Sequence, residues 1–139
     1  MKAVVVATVI DIGLSVLLGF VLFVAYGWFA TSNGISWEAF SEQITQMDVL
    51  SPFSLISIGL GALITIYAAN LCARIANYSE YRYVSVFALS LILFNLLIDS
   101  TYYSLTEHIV LNGITLTCVY LGAWLHVRKK YQLTSSDSR

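Results

Sequence analysis

Four apolar runs, at about residues 4–29, 53–76, 83–103 and 109–127, are separated by short polar connections along the chain. At about 1.5 Å per residue, each run with its flanking residues reaches across a hydrocarbon core of about 30 Å. The pattern predicts an all-α protein, a polytopic four-helix transmembrane bundle. Residues 1–130 form one membrane domain in this reading, and 131–139 a short polar cytoplasmic tail. The first run follows Met1 and Lys2, where a secretory leader would lie. Its length, the interruption at Asp11, and Trp28 and Phe29 where small residues would be needed all argue for a retained helix.

The connection after the first run carries its own periodicity. Beyond the Asn33-Gly34 turn, Ser36 is placed to cap a helix, and Trp37, Phe40, Ile44 and Met47 recur at spacings of three, four and three. Glu38, Glu42, Gln43, Gln46 and Asp48 fall on the opposite face. A short amphipathic surface helix is expected, with Trp37 at headgroup depth and an acidic polar side. Ser51-Pro52 then opens the second span, with proline in the first turn where its missing N–H is harmless. Ser104 and Glu107 form a Ser-x-x-Glu capping box at the start of the fourth.

Composition sharpens the class. Of 139 residues 58% are hydrophobic and 11% charged, against about 25% charged in a soluble domain. The net charge of −1 gives no electrostatic basis for nucleic-acid binding. Its distribution is more informative than its sum. Lys2, Arg74, Arg82, Arg128, Lys129, Lys130 and Arg139 all lie on alternate sides of the spans, and the other two connections have no cation. The positive-inside rule then predicts that both termini are cytoplasmic, in a bacterial inner (cytoplasmic) membrane. Tyr78, Tyr81, Tyr83, Trp124 and Tyr131 fit an inner aromatic belt, and Trp28, Trp37, Tyr102 and Tyr103 an outer one.

Polar residues within the spans are the pointers to function. Asp11 lies about 10 Å in from Val4, and Asn70 lies at comparable depth with Arg74 one turn nearer water. With His126 they make a candidate intramembrane cluster of Asp11, Asn70, Arg74 and His126. An Asp11–Arg74 ion pair is its expected centre. Asn95, Asp99, Glu107, His108 and Asn112 make a candidate outer cluster, where two carboxylates and an imidazole offer cation-ligand chemistry. His108 and His126 are about 27 Å apart along one helix, so they cannot share a metal. Cys72 and Cys118 fall inside spans and read as packing residues, not a disulfide framework. Zinc-ligand spacing, a phosphate-binding glycine loop and a nucleophile elbow are absent from the sequence.

No catalytic residues, cofactor or metal are therefore expected. The leading expectation is a non-enzymatic helper or subunit that assembles, within the lipid bilayer, as a homo-oligomer or with other membrane proteins. The alternative is an oligomeric proton-coupled transporter or small channel that uses Asp11. The helper leads because one four-helix unit has little interior volume and the two halves show no repeat that would signal alternating access.

Overall fold

The computed structural model describes residues 1–45, 51–76, 79–99 and 104–136, and the side chains of 45, 98, 99 and 133–136 fall outside that description. Among the described residues the fold is all-α: α1 Lys2–Ser32, α2 Trp37–Thr45, α3 Pro52–Ala76, α4 Glu80–Asp99 and α5 Leu105–Ser136. The helices α1, α3, α4 and α5 are each long and apolar enough to cross a membrane. The short helix α2 falls where the amphipathic pattern placed it.

The helix ends follow from local chemistry. Gly34, at φ 84°, takes the left-handed position after α1. Its N–H donates to the Thr31 carbonyl at 3.0 Å and the Ile35 N–H to Ala30 at 3.1 Å, the paired bonds of a Schellman stop. Ser36 caps α2 by accepting from the Ala39 N–H at 3.3 Å. Ser51 caps α3, accepting from Ser54 N–H at 3.2 Å. At α5 the capping box forms as expected: Ser104 N–H donates to Glu107 Oε2 at 2.7 Å, and Glu107 N–H donates back to Ser104 Oγ at 3.4 Å. At its other end α5 continues to Ser136, so helix covers 131–136, which the polar pattern assigned to the tail. Arg128 lies over the Trp124 ring at 5.0 Å, and Lys130 Nζ donates to Glu80 Oε1 at 2.8 Å. Both contacts extend beyond the apolar face that the hydropathy pattern follows.

The chain divides into two compact units. The first comprises Met1–Ile12 and Ala62–Arg139. Its buried core draws on α1, α3, α4 and α5, and seven of its thirteen members are alanine. Packing here depends on close backbone approach, the mode by which helices associate where lipid is as apolar as leucine. Gly122 of α5 is the tightest point: a Cβ there would collide with the Ile66 carbonyl oxygen and lie 2.9 Å from Ala69 Cβ.

The second unit, Gly13–Gly61, is packed by aromatic rings. Phe40 of α2 is fully buried. Its ring lies 5.6 Å from Phe23, 5.6 Å from Tyr26 and 5.2 Å from Trp37, centroid to centroid. Tyr26 in turn stacks on Phe53 at 4.8 Å. Gly27 makes room for this, since a Cβ there would lie 2.6 Å from Trp37 Cζ3. The apolar side of α2 thus rests on α1, and Trp37 makes an edge contact with Phe23 at 5.6 Å while half of it stays exposed.

Candidate functional site

Asp11 is the buried charged residue of the described chain, at 7% exposure. It faces inward because it continues the buried stripe of Val4 and Ala7 on α1, at helical spacing. Beside it lies the Thr65 hydroxyl of α3, which shares a face with the buried Ala68, Ala69 and Cys72. Asp11 Oδ1 is buried with no hydrogen-bond partner among the described residues. One turn before Asp11, Thr8 Oγ1 and Ser90 Oγ of α4 are 3.2 Å apart. Ser90 Oγ also donates to the Phe87 carbonyl at 2.7 Å. Thr65 of α3 thus lies beside this carboxyl group, and one turn along α1 the Thr8 hydroxyl meets Ser90 of α4.

The Asp11–Arg74 ion pair expected from sequence does not form. Arg74 is exposed, and the ion pair found among the described residues is Lys130–Glu80. The reason lies in the register. Asp11 meets α3 at Thr65, nine residues before Arg74, which places the guanidinium about 13 Å further along the helix. Counting depth from the ends of two apolar runs assumed that those ends were level. Asn70 is occupied elsewhere: its Nδ2 donates to the Gly122 carbonyl at 3.2 Å, bridging α3 and α5. His126 is half-buried and lies on the side of Glu80. The four residues of the inner cluster thus separate into a buried acid, an interhelical amide bridge, an exposed cation and a member of the Glu80–Lys130 group.

In the outer cluster Asn95 Nδ2 donates to Asn112 Oδ1 at 3.5 Å, joining α4 to α5 at the limit of hydrogen-bond distance. Glu107 accepts from Ser104 at the helix cap, and the adjacent His108 is half-buried. The Asp99 side chain lies outside the described residues. No group of three His, Cys, Asp or Glu side chains positioned for a metal occurs among the described residues. The free thiols of Cys72 and Cys118 are both buried.

Sequence reasoning marked Asp11 but did not bring Thr8, Thr65 or Ser90 to it. The available signal was the shared helical face: Thr8 and Asp11 are three residues apart, and Thr65 precedes the alanine face of α3 by one turn. No protein-family model, curated protein or solved structure matches the chain. Function is read from this chemistry alone.

Proposed function

We propose that this chain is an integral membrane protein of the inner (cytoplasmic) membrane, with both termini cytoplasmic, that works as a non-enzymatic subunit or helper by assembling with itself or with other membrane proteins. The observation that carries this reading is the contrast between two kinds of glycine. Gly27 and Gly122 sit where a Cβ would strike a neighbour, but at the helical Gly13, Gly19, Gly59, Gly61 and Gly113 a Cβ would have nothing within 4 Å. Glycine within a helix costs about 1 kcal/mol relative to alanine. The chain's described contacts give no return for that cost at these five positions. A partner helix would, because small residues allow close approach within a bilayer. The cation distribution supports the orientation. The test is the mass of the protein in mild detergent, with capture of co-purifying membrane proteins. Assembly should be present in the wild type and reduced by Gly19→Leu or Gly59→Leu; a monomer without partners counts against the reading.

The second reading, an oligomeric proton-coupled transporter or small channel, is favoured by one observation: Asp11 is buried without a side-chain cation beside it. Such groups within a bilayer commonly serve ion and proton pathways. Purified protein in sealed vesicles would then move protons or a coupled solute, and Asp11→Asn would abolish the flux while assembly persists.

A further inference from the structure

An ionised carboxylate within hydrocarbon needs a positive charge, further hydrogen bonds or water. At Asp11 the described side chains supply one hydroxyl, from Thr65, and no cation. Protonation alone leaves the problem in place. A proton on the other oxygen leaves Oδ1 a buried acceptor without a donor. A divalent ion fits poorly, since one carboxylate would leave a net charge of +1 in the membrane interior, and no cluster of three acidic, His or Cys ligands lies among the described residues. A small monovalent cation balances the carboxylate and takes hard oxygen ligands. The oxygens of Thr65, Thr8 and Ser90 each have two acceptor lone pairs, so their present hydrogen bonds leave capacity for a ligand bond.

We propose that Asp11 and Thr65, with Thr8 and Ser90 one turn away, form a binding site for a small monovalent metal cation of the sodium class. Two independent features lie there: a nine-tenths buried carboxyl oxygen without a partner, and, one turn along α1, a Thr8–Ser90 hydroxyl pair that joins α1 to α4. Occupancy does not require transport, so the site goes beyond both functional readings. In an assembly subunit the cation joins α1 to α3 and α4. In a transporter it is a candidate coupling ion.

The test uses full-length protein in detergent at pH 8, melted over a sodium chloride series, with a bulky organic cation replacing sodium at constant ionic strength. The midpoint should rise with sodium and saturate, because a ligand of the native state stabilises it by mass action. Thr65→Val, which keeps the side-chain shape and removes the hydroxyl, should weaken the apparent sodium affinity by roughly 10–100-fold. Asp11→Asn should abolish the sodium response. Where Asp11→Asn fails to fold, Thr65→Val and Ser90→Ala carry the test, and sodium responses equal to wild type in both would overturn the site. A wild-type midpoint indifferent to sodium, including one that answers only to pH, would also overturn it. Because the readout is binding, absence of flux in vesicles leaves this result unaffected.

Discussion

Each of the two compact units is packed internally by its own means. In the first, alanines, Gly122 and Cys72 bring backbones close, and hydroxyl and amide groups bond across helices: Thr8 to Ser90, Asn70 to Gly122, Ser85 to Tyr120. In the second, Phe23, Tyr26, Trp37, Phe40 and Phe53 fill space with rings, and the ring–ring contacts among the described residues all belong to them. Rings can tilt to absorb a change, whereas backbone against backbone cannot. The comparison teaches where the chain tolerates alteration, and it explains why the buried acid belongs to the first unit. Close helix contact lets the short Thr65 side chain approach it.

The largest effect is expected where one ring does most of the filling. Phe40→Ala removes a fully buried side chain from among three rings, and losses of about 3–5 kcal/mol accompany such truncations in well-packed cores. The consequence should be local. Protease cleavage near α2 should accelerate sharply while the α4–α5 pair remains protected, and uniform loosening of both units would break the comparison.

The glycine pair sharpens it. Gly122→Ala drives a methyl into the Ile66 carbonyl and Ala69 Cβ, and overpacking of this kind costs about 1–3 kcal/mol. Gly27→Ala meets only the ring atoms of Trp37 and Phe40. A lower detergent melting midpoint is expected for both variants, with the drop clearly greater for Gly122→Ala. Equal drops would show that the aromatic unit is as rigid as the alanine unit.

Smaller again is the cap on α5. Ser104→Ala removes the acceptor for Glu107 N–H, and a lost cap costs about 0.5–2 kcal/mol. Amide exchange should rise in the first turn of α5 and nowhere else. The smallest effect belongs to Lys130→Gln: its bond to Glu80 is half exposed on the lysine side, so about 0–1 kcal/mol is expected. The difference from wild type should fade as salt rises.

Much of the fold was legible in the sequence because hydrocarbon imposes long apolar runs and helix ends require particular residues. Ser36, Ser104 with Glu107, and the Asn33-Gly34 turn all act at the positions their chemistry predicted, and Pro52 opens α3 as expected. The extension of α5 was less visible, since polar residues beyond Val127 can continue a helix without apolar periodicity. The site was legible only in part. Asp11 stood out as an acid in an apolar run, but its partner depends on the register between α1 and α3, and register is a tertiary property. Sequence depth pointed to Arg74, while the fold brings Thr65. Ser90 was hidden among ordinary small residues because its role comes from the Thr8 contact across 82 positions. The aromatic unit was hidden in a similar way: Phe23, Tyr26 and Phe53 read as spanning residues until Phe40 brings the rings together.

The proposed orientation is the premise shared by both functional readings, and reporter fusions test it most directly. Fusions at Asn77 and after Lys130 should report a cytoplasmic location, and fusions at Gln43 and Ser104 an external one, because the cations are confined to alternate connections. An external reading at Asn77 would contradict the four-span, both-ends-inside account.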